Sequence, residues 1–190
     1  MHTTSTTATG SLKEEHEVIE RILKILNVAC DKLERGEDVS PEIFKKAIDF
    51  IRTFADRCHH GKEEDCLFPM VEARGVPRQG GPTGVMLMEH DQGRGFVRGF
   101  AEAVEKYEKG DKSAKEAIIQ NARGYSSLLS QHIPKENDIL YPLADKMLGP
   151  AQQKELLEKF EKIENERIGV GKHHEYLHLV MELEKELGIN

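Results

Sequence analysis

Residues 58–69 read CHHGKEEDCLFP, and residues 131–142 repeat the pattern in altered form as QHIPKENDILYP. In each copy a His is followed four positions later by a Glu, and the copy ends on an aromatic residue and a Pro. Positions i and i+4 lie on one face of a helix, with Cβ atoms about 6 Å apart. Each segment therefore presents one imidazole and one carboxylate in the same direction.

Each of these two His residues has a partner His upstream. The separation from His16 to His59 is the same, within one position, as that from His90 to His132. The stretches from His16 to the turn near Arg35 and from Pro41 to His59 are also nearly equal, and each would be roughly 28 Å long as a helix. Antiparallel helices of equal length hold both His residues at one height, and the second half repeats this arrangement. Two equivalent halves that meet at one level can hold two metal ions.

Apolar residues at helical spacing predict an all-α fold, an up-down-up-down four-helix bundle followed by a further C-terminal helical segment. The apolar seam of the first helix recurs in the same register in the third, with His16 and His90 where a hydrophobe is the norm. Capping and turn residues set the boundaries. The predicted helices run from near Ser11 to Gly36, from Ser40 to the Gly/Pro-rich residues 75–84, from Met86 to Gly110, from Asp111 or Ser113 to Gly149, and from Ala151 to Leu187 with breaks at Gly169 and Gly171.

We expect three parts along the chain. They are a disordered tail over residues 1–10, the bundle over residues 11–148, and a C-terminal helical extension packed on the bundle over residues 149–190. The tail is rich in Thr and has no apolar core, so it does not read as a secretory signal.

Composition excludes several classes of partner. The chain has 190 residues, of which 38% are hydrophobic and 32% charged, with a net charge of -7. This balance fits a soluble helical domain with a sizeable core, and it argues against nucleic acid and anionic membrane as main partners. No apolar run approaches the ~18 residues of a transmembrane helix. Cys30, Cys58 and Cys66 are odd in number and lack a CxxC spacing, so we expect reduced thiols in a cytoplasm.

The duplicated register selects six candidate metal ligands. Two carboxylates in a helical core would cost several kcal/mol in desolvation without a nearby cation. The matching core positions supply His rather than Lys or Arg, so a metal is the economical explanation. The predicted ligands are His16, His59, Glu63, His90, His132 and Glu136.

His60 and Glu64 also have i,i+4 spacing, and register decides against them. Counting back from Pro69 and Pro142 aligns His60 with Ile133 and Glu64 with Asn137. Neither partner can play the same role, so we expect His60 and Glu64 behind the ligands or at the surface.

Three further features allow two interpretations each. Tyr125 lies seven residues before His132 on the same face, where it could donate to a metal-bound oxygen or simply pack. Pro134 removes one helical hydrogen bond and could open the bundle or merely kink the helix. Outside the duplication, the C-terminal cluster is interpreted as surface residues or as a cap over the bundle mouth; it comprises His173, His174 and His178.

The motif set, with the stretches HHGKEEDCLFP and EHDQGR, resembles the hemerythrin family in its HHE cation-binding form over about residues 11–148. The resemblance implies a four-helix bundle with two non-haem irons near one end, the four His as terminal ligands, and Glu63 and Glu136 as bridges. Oxygen-carrying members have a fifth His where this chain has Arg94, and an Asp at a different spacing where it has Glu136. The pattern is closer to the iron-centre repair proteins of the superfamily, which are linked to nitric oxide stress. It is also similar to the hemerythrin domain of an iron-sensing F-box protein.

We therefore expect a non-haem di-iron protein that binds and reacts with O₂, NO or peroxide. Each ion would receive two His and two bridging Glu, which leaves one position for an oxo or hydroxo bridge and one for the ligand. Zn or Mn could substitute for iron. Reaction would need an electron donor, conceivably a partner protein. The sequence leaves open an enzyme, a sensor, a reversible oxygen binder or a metal store, and it does not give the oligomeric state.

Overall fold

The computed structural model describes residues 6–189. Within them the chain is all-helical, with six helices and no strands. Four helices are regular: α1 (Ala8–Glu34), α3 (Pro82–Glu108), α5 (Pro150–Arg167) and α6 (Lys172–Leu187).

The other two helices change their pitch along their length. Helix α2 covers residues 41–72 and comprises Pro41–Phe50, the π-helical Ile51–His60 and Glu63–Leu67, and Phe68–Glu72. Helix α4 covers residues 114–147 and comprises Ala114–Lys135, the π-helical Glu136–Leu140, and Tyr141–Met147. Pro134, for which the sequence left two roles open, lies just ahead of the π-helical segment of α4.

One π-helical turn in each half begins at the matching position, on Glu63 in α2 and on Glu136 in α4. In each, the N–H of the aromatic residue before the Pro bonds five residues back, from Phe68 to Glu63 and from Tyr141 to Glu136. A Pro ring collides with the carbonyl four residues before it and offers no N–H. The wider turn relieves that collision, so the aromatic-Pro pair explains the local change of pitch. The sequence analysis did not foresee it.

Helix α1 begins at Ala8, three residues before the predicted start at Ser11. Thr7 is the N-cap, since its Oγ1 accepts a hydrogen bond from the N–H of Gly10 at 3.1 Å. Ala8 is buried in the first turn. The predicted disordered tail is therefore wrong for residues 8–10, and residues 1–5 lie outside the described residues.

Helix α3 begins at Pro82, four residues before the predicted Met86 and inside the stretch predicted to be irregular, whereas the other boundaries lie close to those predicted. Ser40 caps α2, accepting a hydrogen bond from the N–H of Glu42 at 3.3 Å. The chain breaks between α5 and α6, where Gly169 and Gly171 adopt φ of +98° and +79°. Only glycine enters this left-handed region without strain, which is why the helix ends there.

Two apolar clusters enclose a polar layer. One cluster contains Ile19, Leu26, Phe44, Phe54 and Phe100, together with Leu183 from α6. The other contains Leu12, Phe68, Met86 and Tyr141, together with Leu156 and Phe160 from α5. Both C-terminal helices thus supply side chains to the core, and the predicted ligands lie between the clusters.

Two expectations from the sequence concern the state of the cysteine thiols and membrane-spanning helices. All three cysteines are free and buried, and burial raises the pKa of Cys30 to about 11 and that of Cys58 to about 12. Such thiols are poor nucleophiles. No helix in the described part of the chain is long and apolar enough to cross a bilayer.

Replacement of Leu183 by Ala tests the packing of α6. Leu183 is fully buried, and its helix packs against α1 and α2, so we expect a loss of about 2–5 kcal/mol in the free energy of unfolding. Chemical denaturation of the apoprotein measures it. Met181→Ala is the control in the same helix, because Met181 is 56% exposed and should change stability by about 0.5 kcal/mol or less. Equal effects of the two substitutions would contradict this packing.

Candidate metal centre

The six predicted ligands converge in the polar layer. All are buried, and the side chains of Glu63 and Glu136 are fully so. Their donor atoms fall into groups that could hold a metal ion. One group consists of His16, His59, Glu63 and Glu136, and the other of His60, His90 and His132.

In the first half, two hydrogen bonds orient the imidazoles of His16 and His59. The Nδ1–H of His59 donates to Glu15 Oε2 at 2.9 Å, and that of His16 donates to Asn137 Oδ1 at 2.8 Å. A carboxylate or amide oxygen can only accept here, so Nδ1 carries the proton in both rings. Nε2 is then left with its lone pair.

The second half repeats this pattern. The Nδ1–H of His132 donates to Glu89 Oε2 at 2.8 Å, and that of His90 donates to Glu64 Oε1 at 2.7 Å. The acceptors occupy matching positions in the two halves. Glu15 directly precedes His16 as Glu89 directly precedes His90, and Glu64 directly follows Glu63 as Asn137 directly follows Glu136. All four predicted His ligands are therefore held by an oxygen acceptor on Nδ1, as metal-binding histidines usually are.

The Nε2 atoms face one another in pairs. Those of His16 and His59 are 3.0 Å apart, and those of His90 and His132 are 3.1 Å apart. Two lone pairs at this distance repel unless a cation lies between them. For metal–nitrogen bonds of about 2.1 Å, two ligands at a right angle are about 3.0 Å apart. Each pair thus has the spacing of two ligands on one ion.

Glu63 and Glu136 lie between the two pairs. The oxygens of Glu136 are 3.2 Å from His16 Nε2 and 3.2 Å from His132 Nε2. Glu63 Oε2 is 3.8 Å from His59 Nε2 and 3.5 Å from His90 Nε2. Among the described residues, Glu63 Oε2 and both oxygens of Glu136 have no hydrogen-bond donor. Three buried, unpaired carboxylate oxygens fit a bridge between two cations.

The surroundings of the imidazoles differ between the halves: burial favours a neutral His59, whereas, despite its burial, the hydrogen bonds and charges of Glu136 and Glu64 raise the pKa of His90. Burial, together with the neighbouring His16, lowers the pKa of His59 to about 4, so its lone pair is available at neutral pH. The pKa of Glu63 is raised well above its ordinary value by burial and by the adjacent Glu136. The two carboxylates therefore cannot both remain charged easily unless a cation joins them.

Two lysines hold the outer carboxylates, and the sequence analysis missed them. Lys62 donates to Glu15, and Lys135 donates to Glu89. Burial alone would raise the pKa of Glu15, but the charge of Lys62 and the hydrogen bond from His59 lower it to about 2. The signal was available, because Glu15 and Lys62 recur in the same register as Glu89 and Lys135.

The two halves differ in their aromatic residues. Tyr141, fully buried, donates to Glu63 Oε1 at 2.6 Å and stacks on His16 with ring centroids 5.5 Å apart. Its counterpart is Phe68, which stacks on His90 at 6.0 Å and has no hydroxyl. Only the first-half Glu is therefore hydrogen-bonded by an aromatic residue.

His60 lies nearer to the ligands than a surface residue would. It is buried, with ring centroid 3.8 Å from that of His90 and planes inclined by 14°. An imidazole lone pair lies in its ring plane, so two stacked, nearly parallel rings cannot both point at one ion. The His16–His59 and His90–His132 planes are inclined by 56° and 61°, which permits a shared ion. The geometry thus favours His60 as a packing neighbour of His90, and the surface alternative is wrong.

Glu64 and Arg94 form the network behind His90. Arg94 donates to Glu64 at 2.7 Å and to Asp56 at 2.8 Å, and Asp56 also lies 3.4 Å from His60 Nδ1. Glu64 and Asn137 share a role, contrary to the prediction, since each accepts a hydrogen bond from the Nδ1–H of a predicted ligand. The two positions correspond as the register indicates, and an amide oxygen accepts this bond as well as a carboxylate does.

The C-terminal helices reach the first half of the site. Lys62 also donates to Glu164 of α5 at 3.2 Å, and His173 Nδ1 lies 3.6 Å from Glu164. His173 is half-buried, whereas His174 and His178 are exposed and tilted against each other. The predicted cluster therefore divides into one residue near the site and two on the surface.

Substitution of Glu64 separates a supporting role from a surface role. Glu64→Ala should weaken Fe²⁺ binding about 10–100-fold, because His90 loses its Nδ1 acceptor. Glu64→Gln keeps an acceptor oxygen and should recover most of the affinity. Competition with a chromophoric chelator measures both. Wild-type affinity in Glu64→Ala would return Glu64 to the surface role predicted from register.

Similarity to known proteins agrees with this geometry. The chain is 25% identical over 183 residues to an uncharacterized protein of Mycobacterium bovis, a match that covers 96% of this chain and 71% of the relative. Uncharacterized proteins of two Mycobacterium tuberculosis strains match with the same identity and coverage. No solved structure matches the chain significantly.

The family model of the hemerythrin HHE cation-binding domain matches residues 7–144. This range contains α1 to α4 almost entirely and all six predicted ligands. The match covers well over half of the chain, and the His and Glu clusters within it could bind metal. The chain therefore belongs to the hemerythrin HHE cation-binding family.

Proposed function

We propose that this protein is a non-haem di-iron protein that binds and reacts with small ligands such as O₂, NO and H₂O₂. The observation that carries the proposal is the pair of Nε2–Nε2 contacts at 3.0 and 3.1 Å, with Glu63 and Glu136 between them. Imidazole and carboxylate suit iron and manganese, and they also accept zinc.

Each ion would have two imidazoles and share two carboxylates. His16 and His59 would hold the first ion, His90 and His132 the second, and Glu63 and Glu136 would bridge them. Two Fe²⁺ would bring four positive charges against two negative charges from the carboxylates, so the site would also accept a small anion. When bound, iron supplies the electrons that small oxidants accept.

The protein's own residues prepare the site. The Nδ1 acceptors fix the rotation of all four imidazoles, and the two apolar clusters exclude bulk water. Tyr141 donates to Glu63 and holds one oxygen of that carboxylate in place. Preorganised ligands bind metal more tightly because little ordering is left to do on binding.

The arrangement of α1 to α4 that we propose is an up-down-up-down four-helix bundle over about residues 8–148. Two levels of contact support it. The four His lie at one level, while Arg123 of α4 meets Asp31 of α1 and Tyr107 of α3 meets Val39, before α2, at the other. Residues 149–189 would then form the helical extension on this bundle.

Reaction with the ligand fits better than reversible carriage. Arg94 stands one turn after His90, and its guanidinium is paired with Asp56, Glu64 and Asp91. The position that carries a further imidazole in oxygen carriers thus holds a guanidinium engaged in three ion pairs. Turnover would require an external electron donor, which we propose as a partner in addition to the small ligand. A role in oxidative or nitrosative stress follows from the chemistry of such ligands, and a cytoplasmic location from the reduced cysteines.

Metal stoichiometry tests the proposal. Anaerobically loaded wild-type protein should contain about two irons per chain, and Glu136→Ala should lose affinity at both sites because it removes a shared ligand. His16→Ala should weaken mainly one of the two sites. Elemental analysis and chelator competition report these values.

His178→Ala is the control for that series, since His178 is exposed and outside the polar layer. It should retain two irons. A single tightly bound ion in the wild type, or full loading of Glu136→Ala, would reject the shared two-ion centre.

Exposure of the reduced protein to O₂ should oxidise it in one irreversible step. The optical spectrum of the diferrous form should not return on removal of O₂. Arg94→His places an imidazole one turn from His90 and should slow this oxidation, measured by stopped-flow absorbance. Repeated, fully reversible oxygenation of the wild type would instead establish an oxygen carrier.

A further inference from the structure

A cavity of about 160 Å³ adjoins the second half of the metal centre. Its polar lining comprises His60, His90 and His132 together with Arg52, Asp56, Glu89, Arg94 and Arg98, and the rest includes Val97, Tyr125 and Leu129. Buried cavities of about 150 Å³ hold molecules as large as benzene. The space therefore admits a diatomic molecule, a peroxide or a short alkyl hydroperoxide beside the His90–His132 pair.

The cavity arises from a difference between the duplicated halves. Ile19 follows His16 by three residues, and the corresponding residue after His90 is Gly93. Ile19 is buried in the first half. A Cβ on Gly93 would lie 3.5 Å from the ring of Tyr125 and 3.8 Å from Leu129, both residues that line the cavity. The missing side chain of Gly93 thus leaves space in the second half that Ile19 fills in the first.

Tyr125 supplies a buried polar group at this cavity. Its side chain is 2% exposed, and in the described part of the chain its hydroxyl has no hydrogen-bond partner. Buried hydroxyls nearly always have one. A ligand in the cavity that carries an acceptor atom would provide it.

The surroundings of Tyr125 fit a ligand that accepts a proton or a hydrogen bond. Asp56 and Arg94 also line the cavity and are paired with each other, so neither presents a free charge to it. Arg52 and Arg98 line it from exposed positions. Among the lining residues, the phenol of Tyr125 is the buried polar group that has no hydrogen-bond partner in the described part of the chain.

We propose that exogenous ligands bind at only one of the two ions, the one between His90 and His132, and accept a hydrogen bond from Tyr125. This inference rests on the proposed di-iron function and narrows it. It revises the expectation that both irons are open to ligand. The ligand class is a small molecule that coordinates through one atom and offers a second atom as acceptor, with room for a short alkyl group.

Azide is the probe, because it is a linear anion that binds ferric iron and gives an optical band. Titration of the diferric protein should show one azide per two irons. Gly93→Ile, which restores the residue of the first half, should raise the azide dissociation constant roughly ten-fold or more by filling the cavity. Tyr125→Phe should raise it about five-fold through loss of one hydrogen bond.

Gly95→Ala is the matched control in α3, since a Cβ there meets no atom within 4 Å. Its azide affinity should equal that of the wild type. Gly93→Ala provides the test if the larger side chain prevents folding: its Cβ has ordinary van der Waals clearance, and affinity should fall about three-fold. Iron content and helical circular dichroism are measured for every variant.

Titration of the reduced protein with nitric oxide tests the one-sided site independently. Electron paramagnetic resonance and absorbance should saturate at one NO per two irons. Two NO per pair, or unchanged azide affinity in the Gly93 variants at full iron content, would overturn the one-sided pocket but leave the di-iron centre standing. Unchanged azide affinity in Tyr125→Phe would show that Tyr125 does not donate to the ligand in this pocket. Absence of bound iron in the wild type would instead reject the proposed function itself.

Discussion

The structure depends on the encounter of four imidazole lone pairs with two carboxylates in a space closed to water. Neither set is stable there by itself: the lone pairs repel one another, and burial of two adjacent negative charges is costly. A dication between them removes both penalties at once. The centre is therefore best understood as one electrostatic unit, in which the core of the protein and its metal stabilise each other.

Duplication makes the two halves of this unit alike, and the departures from duplication make their surroundings differ. Glu15 and Lys62 recur as Glu89 and Lys135 with the same hydrogen bonds. Other pairs have diverged: Asn137 corresponds to Glu64, Tyr141 to Phe68, and Ile19 to Gly93. The first ion would thus have a neutral amide and a phenol nearby, and the second an additional carboxylate and open space. Two ions in such different surroundings should differ in potential and in access.

Sequence reasoning predicted the all-helical fold and named six side chains that do converge in one buried layer, because periodicity and duplicated spacing both survive as geometry. It failed where a residue's partner lies on another helix. Glu15 and Lys62 recur visibly, yet nothing local says that Glu15 accepts hydrogen bonds from both His59 and Lys62. Thr7 replaced Ser11 as the cap because Ala8 and Leu12 have a cluster to join. The surface alternative for His60 failed for a related reason, since a strict α-helical register cannot represent the π-helical residues that precede it.

Those π-helical turns also constrain how the gene can change. Each contains one residue more than an α-helical turn, because its hydrogen bond reaches back five residues instead of four. Deletion of a single residue between 63 and 67, or between 136 and 140, would restore ordinary pairing but rotate the two flanking stretches by about 100° relative to each other. The His and Glu upstream of the deletion would keep their shared face, but the aromatic residue downstream, Phe68 or Tyr141, would turn away from the imidazole that it stacks on. Relatives that lack one residue there can keep the fold and the His motif, yet they should be regarded as having lost this aromatic contact.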